Sequence, residues 1–320
     1  MDKLVFDFEN EKLSLDNSKG SLNYLSHAHS DHLFLTNNPS NKIICSSLTA
    51  EFASINKEKL FYSKNLRLFN AGHIPGSTQI KFFSSVYGEV VYSGDLKLED
   101  DLTTKGAEIL KADTLIIDGT YGAYDIEFQK RQDLYETLYQ LIKQNKDFNQ
   151  IWGGYRLGKA QELIKFFNEY FSVAPIVSKE IANIAQIYNK NSIKLDFVVA
   201  GSEESNELVK DQFFAVFEPS KINSEFLNKI NNVHKRKTLA FIATGWAKVY
   251  TKKPGLINFF PLSDHLDFKD ILYYCKESQA KRVFVAFGKN EITARKLRKH
   301  NINAFAIEQL VSSNHNIFQF

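Results

Sequence analysis

The string His27-Ala28-His29-Ser30-Asp31-His32 sets three imidazoles and a carboxylate within six positions, directly after the apolar run Leu22-Asn23-Tyr24-Leu25. An apolar core cannot absorb so many polar groups, because each one that is buried needs a partner. A polar surface loop could carry them without chemistry, whereas as metal ligands they act together. His27 and His29 are two apart and can point to one side of an extended segment, while Asp31 and His32 turn toward a neighbouring position. That pattern suits two adjacent divalent cations bound through N and O donors, Zn²⁺ most naturally and Mn²⁺ as an alternative.

Such a site needs ligands from other loops. His73 lies in Asn70-Ala71-Gly72-His73-Ile74-Pro75-Gly76-Ser77, where Gly lets the backbone approach closely and Pro fixes the turn. Asp95 follows Val90-Val91-Tyr92-Ser93-Gly94. A carboxylate just past a buried strand can bridge two metals, although alone it would read as a turn residue.

The elements that must hold these loops fall into two rhythms. Up to about Tyr92 the chain shows short apolar or alternating runs broken by Asn, Ser and Gly, at Leu13 to Leu15, Leu22 to Leu25, Ile43 to Cys45, Leu66 to Phe69, Ile80 to Phe83 and Val90 to Tyr92, which predict strands. After Leu115-Ile116-Ile117 the pattern becomes strand then helix, with predicted helices over Glu127 to Lys143, Arg156 to Phe171 and Lys179 to Tyr188 and strands near Phe148 to Trp152, Phe213 to Phe217 and Leu239 to Ala243. Alternating units imply a mostly parallel sheet with helical cover, a compact domain of its own. The last third returns to strand Ile257 to Phe260, helix Phe268 to Lys276, strand Arg282 to Phe287, helix Glu291 to Lys299 and strand Ala304 to Ile307.

Composition narrows the class. A length of 320 residues allows two domains, or one layered domain with an insertion, and 43% hydrophobic against 24% charged residues supplies a globular core. Lys plus Arg exceeds Asp plus Glu by only 40 to 37, without the strong basic excess of a dedicated nucleic-acid module. Cys45 and Cys275 form neither a CxxC nor a paired framework, which points to a reducing compartment. No leader pattern and no apolar run near the ~18 residues of a membrane helix occurs, so a cytoplasmic protein with no membrane partner is expected.

The string His27 to His32, with Gly72-His73, Ser93-Gly94-Asp95 and Leu15-Asp16, resembles the metallo-β-lactamase superfamily. Ile117-Asp118-Gly119-Thr120-Tyr121-Gly122, the segment Gly154-Tyr155-Arg156-Leu157-Gly158-Lys159-Ala160-Gln161-Glu162-Leu163, Thr244-Gly245-Trp246 and Leu262-Ser263-Asp264-His265-Leu266-Asp267 resemble its β-CASP branch, the nucleases of DNA repair and RNA processing. The resemblance covers nearly the whole chain. It implies an α/β fold: a four-layer αββα sandwich made of residues 1–123 and 241–320, with residues 124–240 inserted as an α/β cap and the active site in the cleft between the two. It also implies that His27, His29 and His73 hold a first metal, that Asp31 and His32 hold a second, and that Asp95 bridges. Asp16 would accept a ring N–H from a ligand histidine and fix its tautomer.

Two cations a few ångströms apart lower the pKa of a shared water toward neutrality and neutralise the phosphate it attacks, so a phosphodiester is the substrate such a site suits. By resemblance, Asp31, Asp118 and His265 are the catalytic set, with Asp118 orienting the imidazole of His265 at the scissile phosphate. From the residues alone, Ser263-Asp264-His265 reads equally well as a helix N-cap. The chain departs from the RNA-processing members at Val285-Ala286-Phe287-Gly288, where Phe287 stands in place of a last ligand histidine. One tight Zn²⁺ and a second, weaker one are therefore expected. That departure is shared with Artemis-like DNA-repair nucleases, so DNA is favoured over RNA, and repair or ligase machinery would be the protein partner.

For substrate contact, Trp152-Gly153-Gly154-Tyr155-Arg156 joins a strand to a helix, and glycines there expose N–H groups for phosphate. Arg156 and Lys159 add charge, Tyr155 can stack on a base, and Lys252 and Lys253 lie between Trp246 and His265. The expected activity is that of a metal-dependent DNA exonuclease of repair type, with endonuclease activity a further expectation. A ribonuclease of the same branch is the first alternative and an inactive nucleic-acid-binding scaffold the second.

Overall fold

The computed structural model describes residues 4–34, 42–249 and 255–310, and the chain divides into two compact units. The second unit consists of Asp100–Thr104 and Phe128–Asp264, and the first holds the remainder. In chain order the first unit opens with β1 (Val5–Phe8), β2 (Glu11–Leu15), β3 (Leu22–Tyr24) and β4 (Lys42–Ile44), which form one sheet in that order, followed by the short helix α1 (Ser47–Phe52). Strands β5 (Arg67–Asn70), β6 (Thr78–Ser84), β7 (Gly88–Tyr92) and β8 (Thr114–Asp118) begin a second sheet.

The second unit then supplies α2 (Arg131–Gln144), β9 (Asn149–Gly153), α3 (Lys159–Phe171), β10 (Ile176–Val177), α4 (Lys179–Lys190), β11 (Val198–Val199), α5 (Glu203–Leu208), β12 (Phe214–Phe217), α6 (Ser224–Val233), β13 (Thr238–Ala243) and β14 (Ile257–Phe260). The chain returns with α7 (Phe268–Ser278), β15 (Arg282–Ala286), α8 (Asn290–Arg298) and β16 (Ala304–Ala306), completing the order β16-β15-β8-β7-β6-β5.

The layering of the first unit follows from the two-residue period of its strands. Along β8, Ile116 packs with Tyr24 and Leu15 of the first sheet, whereas Leu115 and Ile117 pack with Ile271 and Tyr274 of α7 and with Leu297 of α8. Strand β15 repeats the split, with Phe284 toward one side and Val283 and Val285 toward the other. The outer face of the first sheet closes on α1 through Leu25, Ile43, Cys45 and Ala50. Helix, sheet, sheet and helix stack in that order, as the resemblance implies.

In the second unit every neighbouring strand pair is parallel, in the order β11-β10-β12-β9-β13-β14. The unit runs on to Asp264 and does not end at residue 240 as the motifs imply. The reason is pairing: Ala240 to Ala243 in β13 align with Ile257 to Phe260 in β14, so a strand expected in the returning half belongs to the inserted sheet. Helix α3 begins at Lys159 and not at Arg156, because Gly158 sits at φ 98°, outside the helical region. Helix α1 escapes sequence analysis because six residues are too short for a periodicity, and a Ser46 side chain capping the Thr49 N–H sets its start. Among the described residues, no helix is long and apolar enough to cross a membrane.

Candidate metal centre

The site gathers at the ends of first-unit strands. His27 and His29 follow β3, His73 follows β5, Asp95 follows β7 and Asp118 ends β8. Two glycines let these loops close. Gly72 holds φ +70° with Lys97 O only 2.2 Å from where a Cβ would stand, and Gly94 holds φ +55° with Ser26 Cβ 2.6 Å from such an atom. Any side chain at either position would push away the ligand that follows it.

Four ligand atoms converge. His27 Nε2 and His73 Nε2 each lie 3.1 Å from His29 Nδ1, and Asp95 Oδ2 lies 3.5 Å from His27 Nε2 and 3.6 Å from His73 Nε2. Three ring nitrogens that face one another cannot all be satisfied by one another's protons. A tetrahedral zinc with bonds of about 2.0 to 2.1 Å has ligand–ligand edges of about 3.3 Å, which these distances straddle. The donor set therefore fits a divalent cation, which His27, His29, His73 and Asp95 could hold.

Asp95 offers its second oxygen elsewhere: Oδ1 is 3.4 Å from His32 Nε2. One carboxylate thus faces two cation positions, the geometry of a bridge. Burial pushes the Asp95 carboxyl up to about 6, against the pull of His32. For His32 burial works against the charge, but Asp95 and Asp16 outweigh it and push the imidazole up to about 10. Burial, reinforced by the neighbouring His32, His29 and His73, holds His27 well below the ordinary histidine range, leaving a neutral ring as a metal ligand must be.

The carbonyl of His29 accepts from the N–H groups of His32 and Leu33, both at 3.1 Å, a tight turn that carries His32 inward and leaves Asp31 exposed. Among the described residues, the His and Asp groups whose ligand atoms all converge include neither Asp31 nor His32, although the Asp31 charge acts on the His32 ring. His32 and Asp95 could serve a second position, with the Phe287 ring 5.2 Å from the His32 ring. Phe287 itself has φ 60°, a conformation His adopts more readily than a bulky apolar residue. Phe287→His is accordingly expected to raise affinity for a second cation by about 10-fold or more, seen as a second Co²⁺ or Zn²⁺ equivalent in titration; an unchanged stoichiometry would exclude Phe287 from that position.

Beside the cation positions, His265 Nδ1 is 2.8 Å from Asp118 Oδ2, and the His265 ring lies 4.7 Å from that of His73. Burial alone would raise the Asp118 carboxyl, but the His265 ring and two hydrogen bonds from Thr120 hold it below the usual range. Asp118 is thus an anion that accepts the Nδ1 proton and turns Nε2 of His265 away from itself. Tyr121 packs edge-on to the same ring at 5.8 Å.

The expected nucleic-acid contacts divide. Tyr155 and Arg156 are exposed, whereas Lys159 is buried with its Nζ 2.6 Å from Asp264 Oδ2. An amine held in a buried ion pair is not presented to phosphate, so the assignment of Lys159 is corrected. Gly153 and Gly154 are buried, and the Gly154 N–H donates to Phe217 O at 3.0 Å, which removes it as a phosphate seat. Lys252 and Lys253 lie outside the described residues.

Two further polar residues stand at the centre that no motif of the sequence marks. Ser26 and Tyr92 both reach Asp16, through Ser26 Oγ and Tyr92 OH at 2.7 Å each. Ser26 directly precedes His27 and was legible as a small polar residue beside a ligand; Tyr92, in an apolar strand, gave no signal.

No family model matches the chain. It is 26% identical over 309 residues to a "Probable DNA ligase" of Opitutus terrae, covering 89% of the chain and 28% of that protein. It is 31% identical over 155 residues to "Probable RNase MJ4" of Methanocaldococcus jannaschii, covering 43% of the chain and 35% of that protein. With the "DNA cross-link repair 1A protein" of Gallus gallus identity is 21% over 324 residues, 89% of the chain and 32% of that protein. The chain thus spans about a third or less of the length of these curated relatives. A crystal structure of a protein of unknown function from Enterococcus faecalis V583 shares the fold at TM-score 0.55 and 14% identity, over 85% of this chain and 76% of that one. Layered sandwich and relatives are consistent with a metallo-β-lactamase fold, with a histidine–aspartate cluster that could hold a metal ion. These relatives are β-CASP members of the metallo-β-lactamase superfamily, and the chain is similar to them.

Proposed function

We propose that the chain is a metal-dependent nuclease that hydrolyses phosphodiester bonds, with DNA as its preferred substrate. The observation that carries this reading is Asp95, whose Oδ2 faces three converging imidazoles and whose Oδ1 faces His32, beside the Asp118–His265 pair. His27, His29, His73 and Asp95 would hold Zn²⁺, or Mn²⁺ in its place, and His32 with Asp95 a second, weaker ion. When bound, such ions act as Lewis acids that activate water and neutralise phosphate charge.

The protein's own groups do the rest. Asp118, kept anionic, fixes the His265 tautomer so that Nε2 is the atom free to hand a proton to the departing sugar oxygen. Asp31, exposed next to His32, contributes negative charge at the mouth of the site. Tyr155 and Arg156 fit a stacking and phosphate-binding role on nucleic acid, since both are exposed. Two relatives that cover 89% of the chain carry DNA in their names, whereas those named as RNases or as an endoribonuclease cover 43%, 38% and 33% of it, which supports DNA. A DNA repair or ligation assembly is the corresponding partner.

The test is cleavage of end-labelled single-stranded DNA and matched RNA with Zn²⁺ or Mn²⁺. DNA should shorten and RNA persist, with His265→Ala slowing cleavage by about 10² to 10⁴-fold and Asp31→Ala costing less than His265→Ala. Cleavage of RNA alone would reverse the substrate assignment, and cleavage of neither by the metal-loaded protein would end the nuclease reading.

A further inference from the structure

Ser263 and Asp264, the two residues before His265, are both buried and both tied to charged groups. One guanidinium nitrogen of Arg131 donates to the Ser263 carbonyl at 2.7 Å and stands 3.4 Å from Asp264 Oδ1. Lys159 Nζ donates to the other oxygen, Oδ2, at 2.6 Å. Glu162 meets the second guanidinium nitrogen at 3.3 Å and accepts the Tyr135 hydroxyl at 2.6 Å. Asp101 brings a third carboxylate, with an oxygen within 4.8 Å of one on Glu162 and one on Asp264. Three carboxylates this close would draw a cation from solution, but the chain supplies its own in Arg131 and Lys159.

The network holds backbone as well as side chains. The Ser263–Asp264 peptide is planar, its carbonyl is fixed by Arg131, and the side chain it leads to is held at both oxygens by charge-assisted contacts, which are about twice as strong as neutral ones. Only the torsions flanking one peptide bond, between Asp264 and His265, are left to set where the imidazole starts. Downstream, Leu266 packs in the core with Ile271 and Tyr274, and the Asp267 carboxylate caps α7 by accepting the Asp270 N–H at 3.1 Å. The imidazole delivered between these anchors meets Asp118 at 2.8 Å.

We propose that the buried network of Arg131, Lys159 and Asp264 positions His265 for proton transfer. Arg131 and Lys159 are positioning residues: they act through the Ser263 carbonyl and the Asp264 carboxylate. The inference rests on the reading of His265 as the proton donor of a nuclease.

The test compares cleavage of DNA with cleavage of bis(p-nitrophenyl) phosphate by the metal-loaded full chain. The sugar oxygen of DNA needs a proton to depart, whereas p-nitrophenolate leaves without one, so a displaced proton donor slows the first reaction selectively. Lys159→Met should slow DNA cleavage by about 10²-fold, the cost of a displacement of about 1 Å, and aryl cleavage far less. Lys159→Arg, which keeps the charge, should recover part of the DNA rate. Tryptophan fluorescence in urea shows which variants are folded, and Asp264→Asn, which keeps the shape of the side chain, is read in the same way where Lys159→Met does not fold. Equal loss on both substrates, or an unchanged DNA rate, overturns the proposal. If the wild type cleaves the aryl diester and no nucleic acid, the nuclease reading fails, and positioning is then read from the His265 Nδ1 proton resonance, assigned by its absence in His265→Ala: a shift in Lys159→Met sustains the inference and an unmoved line overturns it.

Discussion

Replacing Asp95 by alanine is expected to abolish tight metal binding and cleavage together. Loss of an outer partner of a ligand typically weakens a metal by about 10 to 100-fold, and Asp95 would be both a direct ligand and the group facing two positions, so a loss beyond about 100-fold is expected. Such a loss has a thermal signature, since a ligand at 100 times its Kd stabilises by about 2.7 kcal/mol. Zinc that raises the melting temperature of the wild type should therefore leave Asp95→Ala nearly unmoved. Because Asp95 is buried and its ionisation is already disfavoured, the metal-free variant should still fold. A variant that keeps a full zinc equivalent would show that the four converging atoms are not the metal's ligands.

Arg131→Met should be the most destabilising single change in the second unit. Arg131 is 6% exposed, with Glu162 Oε1 at 3.3 Å, Asp264 Oδ1 at 3.4 Å and the Ser263 carbonyl at 2.7 Å. Lys159 completes the pairing of Asp264, and the Tyr135 hydroxyl donates to Glu162 at 2.6 Å. Burial of Arg131 disfavours its charge, but Glu162 and Asp264 outweigh that and raise its pKa. Removing one member of a buried network leaves an uncompensated charge and costs about 3 to 5 kcal/mol. In a unit of this size that lowers the melting temperature by roughly 10 °C. Both tryptophans, Trp152 and Trp246, lie in the second unit, so their fluorescence in a urea titration reads that unit directly. The double variant Arg131→Met with Glu162→Gln should recover part of the loss. A midpoint equal to wild type in the single variant would show that the network is indifferent to its arginine.

The chemistry of the site was legible where residue type alone restricts use. His27, His29, His73 and Asp95 stand after apolar runs in a composition that offers them no apolar role, and they do converge. The sandwich was legible for a related reason: a two-residue period in β8 and β15 dictates two buried faces, and two buried faces dictate layers on both sides. Position 287 was informative because no rotamer of a phenyl ring can donate a lone pair to a cation.

What the tertiary structure decided are matters of distance between residues far apart in the chain. Lys159 and Asp264 are 105 positions apart, and no local pattern says that the amine is spent inside an ion network. Asp31 and His32 are adjacent, yet one turn of backbone sends the imidazole inward and leaves the carboxylate outside, since neighbouring side chains in a tight turn diverge. The boundary of the second unit depended on β13 pairing with β14, a contact that periodicity does not encode. Tyr92 reads as a core residue in sequence, and only its hydroxyl, 2.7 Å from Asp16, gives it a second role. Sequence fixes which groups are able to do chemistry because that is a property of each side chain; which of them are free to do it is a property of their neighbours.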